Sequence, residues 1–434
     1  MAGRSVHPRQ RTGRDRAMKS HSIRNFVVAQ FPAWTHPALR SVEMMALTAT
    51  GGVLRHLPME RTPRTPPRRA IDTLQRYAEE RPSRATYQEI YPPHIDHRKP
   101  PVTAAGLGGE EGIHPSFVAE LSRAMPSAGV GVIREGRVLT SMGAIITPEN
   151  WLVTDVSHTG AGDSPYSHPL FSKLRLPEAT RVKGRVAVMT MYPGNLPGHP
   201  YYAHWLLDML PRLHLLEKSG ERWDKLVVPQ VVGYQRESLR LLGIDPEKII
   251  SAPGLHLQPD ELVVPTLVGF PIGNYPAWAC HWLKERFFPL IPPGAAARRR
   301  LYISRGKAAR RRLLNEDELM AALSPLGFER VFLEEQSFID NVRMLRDAEA
   351  VISPHGANTA IFTFCRSGTP VIELFSPAYV SACHYSAACQ SDLNYAYVLG
   401  KGRVRERGFR SSDDITVDPG HVTDLLNEMM KELG

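Results

Sequence analysis

Leu301-Tyr-Ile-Ser-Arg305, Glu329-Arg-Val-Phe-Leu-Glu334, Val351-Ile-Ser-Pro-His-Gly-Ala-Asn358 and Thr369-Pro-Val-Ile-Glu-Leu-Phe375 are four short runs, each containing apolar, β-rich residues. Between them lie stretches that read as helix: Asn315 to Leu323, a segment opened by Ser337 with Asp340 three residues on, and Thr359 to Cys365. The Ser337 pattern is an N-cap, in which a hydroxyl accepts from a free backbone N–H of the first turn. Parallel strands need a crossover between them, so strand and helix in alternation imply a parallel sheet wrapped by helices.

The same rhythm runs upstream. Val186-Ala-Val-Met-Thr-Met191, Lys225-Leu-Val-Val-Pro229 and Lys248-Ile-Ile-Ser251 read as strands. His204 to about Lys218 and Tyr234 to Leu242 read as the helices between them, the second closed by Gly243. Ahead of them, from Gly129 to Ser157, short β-rich pieces alternate with turn residues, the mark of a small antiparallel meander. Trp278 to Phe288 reads as a connecting helix, and Ile291-Pro-Pro-Gly294 as a break. The expected fold class is therefore α/β, with two Rossmann-like domains facing a cleft: residues 129–275 with the leading meander, and residues 276–434. Ligands of such sheets sit beyond the carboxyl ends of the strands, so those loops are where chemistry is to be sought.

Composition narrows the partners. The chain has 434 residues, 42% of them hydrophobic, enough core for two domains. Its net charge of +9 suggests nucleic acid until the charge is located. Residues 1–70 hold 13 basic and 3 acidic side chains, a net +10, which leaves the remainder at −1. With the run Arg61-Thr-Pro-Arg-Thr-Pro-Pro-Arg-Arg69, residues 1–80 read as a basic, disordered tail. The folded body is near neutral, so nucleic acid is not an expected partner. No apolar run reaches the roughly 18 residues of a membrane helix, and no signal-peptide pattern opens the chain. A cytoplasmic location is expected, with peripheral contact to the inner membrane face through the tail. Cys280, Cys365, Cys383 and Cys389 show no metal-knuckle spacing and read as reduced thiols.

Three constellations carry chemistry. His204, Asp208 and Arg212 stand at i, i+4 and i+8, one polar stripe on an amphipathic helix. His204 or Asp208 there is able to take a proton from an attacking hydroxyl. The plain alternative is capping or pairing on an ordinary helix, and Pro211 is expected to kink or break it. From Arg298 to Arg312 eight basic residues occur without an acid, and Arg305 directly follows a strand, where a guanidinium grips phosphate with two prongs. Ile352-Ser-Pro-His-Gly-Ala-Asn358 runs from strand through a small-residue turn into a helix start. His355, Gly356, Ala357 and Asn358 thus form an anion cradle, with Glu373 placed to accept from a diol.

Taken together, Tyr302-Ile-Ser-Arg305, Arg312-Leu-Leu-Asn-Glu316, Gly327 to Glu334 with Ser337-Phe338, Pro354-His-Gly-Ala357 and Gly368-Thr-Pro-Val-Ile-Glu-Leu374 resemble glycosyltransferase family 61, over roughly residues 130–400. That family includes bacterial capsular-polysaccharide proteins and eukaryotic xylosyl- and N-acetylglucosaminyltransferases. His204-Trp-Leu-Leu-Asp208 with Pro211-Arg212 looks like its N-terminal-domain motif. Two departures stand out: Asn358-Thr-Ala-Ile361 follows the glycine turn in place of Gly-Leu-Thr-Asn, and Ala203 separates Tyr202 from His204.

The resemblance implies a GT-B arrangement, inversion at the anomeric carbon, and a nucleotide-sugar donor held by the C-terminal domain. It implies a glycan or lipid-linked glycan acceptor, in polysaccharide biosynthesis. No metal or other cofactor is expected, since basic residues commonly neutralise the diphosphate and the chain has no Asp-x-Asp triplet. Expected donor contacts are Arg305, Arg312, Asn315, Ser337, His355, Gly356, Ala357, Asn358 and Glu373. Asp208 or His204 is the expected base, and Arg212 lies on the acceptor side. The competing reading is a non-catalytic nucleotide-sugar-binding or scaffold component of a polysaccharide assembly complex.

Overall fold

The computed structural model describes residues 62, 64–102, 112–157, 166, 168–190, 202–228, 231–251, 254–269, 273–292, 299–402 and 413–431. The front strands are β1 (Arg69–Ile71), β2 (Ala85–Tyr91), β3 (His94–His97), β4 (Ser122–Met125), β5 (Ala128–Arg134), β6 (Arg137–Leu139), β7 (Ala144–Ile146), β8 (Trp151–Val153), β9 (Thr180–Val188), β10 (Lys225–Val227), β11 (Ile249–Ile250) and β12 (His256–Pro265). Behind them come β13 (Arg299–Ile303), β14 (Phe328–Val331), β15 (Ala348–Pro354), β16 (Pro370–Phe375) and β17 (Asn394–Leu399).

The first sheet runs β1-β8-β7-β6-β12-β9-β10-β11, with β5 beside β12 and β2 beside β5. Its parallel part is β11-β10-β9-β12. The chain enters at β9, steps outward to β10 and β11, and returns on the other side of β9 as β12. Helices α2 (Arg212–Ser219) and α3 (Gly233–Leu241) make the crossovers. The second sheet is wholly parallel, in the order β14-β13-β15-β16-β17. Leu301, Tyr302 and Ile303 of β13 are all buried, as are all six residues of β16, as expected of strands covered on both faces. Here the winding reverses between β13 and β15, so a crevice opens beyond their carboxyl ends. One continuous apolar core joins the two sheets, from Leu206, Leu210 and Val263 through Trp282 and Phe287 to Leu301, Val351 and Phe364.

One expectation is corrected. The basic tail does not extend to residue 80: Arg69–Ile71 is β1, paired with β8, and α1 (Leu74–Glu80) follows. The helix is capped by Thr73, whose hydroxyl accepts from Arg76 N at 3.0 Å. Residues 1–61 lie outside the described residues. The expected meander is part of the first sheet. β6, β7 and β8 pair antiparallel in turn, but β5 pairs with β12 and β2, so all of them belong to the first sheet.

At the first sheet's reversal stands Arg212, fully buried. Its Nη1 donates to Thr190 O, just past β9, at 2.8 Å, and its Nη2 to Pro265 O, the last residue of β12, at 2.5 Å. The side chain ties together the carboxyl ends of the two strands from inside the core, where a place on the acceptor side was expected. Burial pulls the guanidinium down to about 9, with Asp208 opposing. Arg212→Met strands two buried carbonyls, and a loss of ~1–3 kcal/mol is expected. It should appear as a lower urea midpoint at an unchanged m-value.

Candidate functional site

At the second sheet's reversal β13 is followed by Ser304-Arg305 and β15 by His355-Gly356, and the structure brings these segments together. Arg305 Nη1 donates to Asn358 Oδ1 at 2.6 Å, Nε to Arg311 O at 3.2 Å and Nη2 to Arg310 O at 3.0 Å. Asn358 Nδ2 donates in turn to Ser353 Oγ at 2.8 Å, fixing the turn to β15. Gly356 has extended backbone (φ 174°), so conformation does not require glycine, but a Cβ there would collide with the Arg305 guanidinium. Burial and the neighbouring Arg311 hold Arg305 down at about 10, still a cation at neutral pH. Gly356→Ala should push the guanidinium off Asn358. Losing one charge-assisted contact corresponds to roughly 10–100-fold weaker binding of a nucleoside diphosphate, readable by calorimetry.

Asn358 also lines a cleft of about 510 Å³ with Tyr202, Tyr234 and Glu237 from the front half and Glu334, Phe338 and Asn341 from the rear. Glu237, on α3, crosses this cleft. Its Oε2 accepts from Phe338 N at 2.8 Å and its Oε1 from Ile339 N at 3.1 Å. It thereby caps α6 (Phe338–Arg346), sharing that end with Ser337.

Three expected donor contacts are committed elsewhere. Arg312 pairs with Asp414 at 2.8 Å on the surface. Asn315 clamps Val417, accepting from its N at 3.2 Å and donating to its O at 2.8 Å. Ser337 is an N-cap, bonded to Asp340 Oδ2 at 2.6 Å. In place of Arg312 it is Arg311 that faces the turn: it lies over the Tyr379 ring at 5.4 Å and its charge reaches His355. Of the basic run, Arg298 lies outside the described residues. Ala357 opens the tight 3-10 helix Ala357–Phe364 behind the turn.

His355 and Glu373 lie beneath. Glu373 is wholly buried, and its Oε1 accepts from His355 Nδ1 at 2.6 Å, from Thr359 Oγ1 at 2.7 Å and from His384 Nδ1 at 3.3 Å. Its Oε2 accepts from Tyr395 at 2.7 Å. Glu373 therefore has no oxygen to spare for a ribose, which corrects the diol role. Burial opposes its charge, yet the two imidazoles win and hold the carboxyl well below the usual range. Burial drives His355 down to about 4 despite Glu373. His384 rises to about 10, because Cys383 and Glu373 outweigh its burial. Motif reading missed Thr359, Cys383, His384 and Tyr395, since only the fold gathers them around Glu373.

Across the core, the helix opening at His204 is a π-helical turn, His204–Met209, with α2 starting after Pro211. Leu210 N bonds back to Trp205 O at 3.0 Å, the i→i+5 pattern of such turns. The wider turn and the break at Pro211 carry Arg212 off the stripe, which explains its burial. His204 and Asp208 stay together, Nδ1 to Oδ2 at 2.8 Å, and Tyr275 Oη donates to the same oxygen at 3.2 Å. Asp208 is 4% exposed and His204 23%, so the imidazole is the member that reaches outward. Such a pair can accept a proton at the outer nitrogen while the carboxylate fixes the tautomer.

Known proteins share these segments. The sequence profile described as glycosyltransferase 61 matches residues 202–372, a span holding both the His204 turn and the Gly356 turn. Over 79 residues the chain is 39% identical to protein O-linked-mannose beta-1,4-N-acetylglucosaminyltransferase 2 of Canis lupus familiaris, covering 18% of this chain and 13% of that protein. The Mus musculus protein of the same name is 33% identical over 103 residues, covering 22% and 18%. The chain thus spans under a fifth of the length of these relatives, which are animal O-mannose enzymes and not of capsular type. Among solved structures, the iron-containing heptosyltransferase TibC in complex with ADP-D-beta-D-heptose gives a TM-score of 0.30 at 12% identity, covering 60% of this chain and 79% of that one. No helix among the described residues is long and apolar enough to cross a membrane. Residues 202–372 are thus similar to glycosyltransferase 61, over a span that includes both candidate turns.

Proposed function

We propose that the chain is an inverting glycosyltransferase of GT-B arrangement, which moves a sugar from a nucleotide-sugar donor to a glycan hydroxyl in polysaccharide biosynthesis. The observation that carries this reading is the Arg305–Asn358 contact against a glycine that admits no side chain, at the reversal of a parallel sheet and facing a cleft. The relatives are named for transfer to O-linked mannose, which favours a sugar hydroxyl as acceptor.

In this mechanism the acceptor oxygen attacks the anomeric carbon from the side opposite the diphosphate. The new C–O bond forms as the bond to the phosphate oxygen breaks, and configuration inverts. His204 takes the hydroxyl proton at Nε2, because Nδ1 is held by Asp208, and Asp208 steadies the resulting imidazolium. Negative charge accumulates on the departing diphosphate. Arg305 and Arg311 are already in place to receive it, so they stabilise the transition state more than the ground state.

The direct experiment is a thermal-shift panel of nucleoside diphosphates and sugar nucleotides on the purified protein. At a hundredfold excess over Kd, a true ligand adds ~2.7 kcal/mol of stability. A flat response across the panel would overturn the donor assignment.

A further inference from the structure

Beside the Gly356 turn lies a group of side chains that glycosyl transfer leaves unused. His355 follows β15, while Cys383 and His384 open the helix α7 (Cys383–Gln390). One ligand atom from each, two ring nitrogens and one sulfur, lie within 4.8 Å of one another. The two histidines are buried and Cys383 is half-buried.

What stands behind the rings points the same way. Nδ1 of His355 and Nδ1 of His384 both face Glu373 Oε1, at 2.6 and 3.3 Å, and Thr359 Oγ1 stands 2.5 Å from His384 Nδ1. This commits one nitrogen of each ring and leaves Nε2 for a ligand. A carboxylate that fixes the tautomer and orientation of an imidazole from behind is the outer partner metal-bound histidines characteristically have. Thiolate and imidazole together suit a borderline-soft ion and disfavour magnesium or calcium, which prefer oxygen.

We propose that His355, Cys383 and His384 bind a divalent cation of the zinc class, with Glu373 and Thr359 as the outer partners that hold the rings. The ion ties α7 to the turn after β15 and so supports the backbone carrying Gly356. The donor diphosphate is still met by Arg305 and Arg311, and the metal site stands whether or not a sugar nucleotide binds.

Titration of the purified, metal-stripped chain with Co²⁺ tests this without any activity measurement. The expected result is a thiolate-to-cobalt charge-transfer absorption that saturates at one equivalent and is bleached by Zn²⁺. Cys383→Ser, at a half-buried position, should remove the band while circular dichroism stays unchanged. Thr359→Val keeps the ligands, removes an outer partner, and should weaken Co²⁺ binding ~10–100-fold. Absence of the band in the wild-type chain overturns the proposal. So does a band of full strength in Cys383→Ser, which would trace the absorption to Cys280, Cys365 or Cys389.

Discussion

Arg305→Ala should lower kcat by roughly 10²–10³, the cost of removing one preorganised donor aimed at developing negative charge. A guanidinium has five N–H donors. Arg305 spends three on Asn358, Arg310 and Arg311, which lock its plane, and keeps two for a phosphate. Arg305→Lys keeps the charge but cannot make the three directed bonds, so it should recover little of the loss. The groups left without Arg305 are two loop carbonyls and one amide oxygen beside solvent, so the unfolding midpoint should move slightly. Nucleotide-dependent stabilisation should shrink in both variants. Full turnover in Arg305→Ala would remove the phosphate role.

His204→Gln should be at least as damaging, with kcat falling roughly 10²–10⁴ as a general base is lost. The two variants differ in what survives. His204 belongs to the front half and Arg305 to the rear, so His204→Gln should bind donor nucleotide as tightly as the wild type. Asp208→Asn still accepts from Tyr275 but no longer steadies an imidazolium, and it should fall between wild type and His204→Gln. If cells carrying Asp208→Asn or His204→Gln make unchanged polysaccharide, the chain acts as a scaffold and not as a transferase.

The parts legible in the sequence share a physical cause. β13, β15 and β16 are buried on both faces, so they stand out as compact apolar runs, and each run alone puts the residues that follow it at the carboxyl edge of the sheet. Arg305 and Gly356 could be located in this way. Arg212 could not, because a helical stripe assumes 3.6 residues per turn while His204–Met209 winds more widely. β1 is three residues long beside a basic run, and half-exposed β2 lacks a clean alternation. Arg312 and Arg311 are adjacent, and only the backbone decides that Arg311, in a left-handed conformation at φ 55°, meets the turn while its neighbour meets Asp414. The Glu373 network is invisible in the sequence because its members come from five separate segments: the turn after β15, the 3-10 helix behind it, β16, α7 and β17.

Glu237 has a kinetic consequence. Its carboxylate belongs to one half of the protein, while the two amides it satisfies belong to the other. Parting the halves at this point frees the amides of Phe338 and Ile339 and leaves Ser337 as the only cap of α6, at ~0.5–2 kcal/mol. Opening of the cleft beside Glu237 breaks both bonds, so Glu237→Gln, with one accepting oxygen in place of two, should loosen this latch and speed product release.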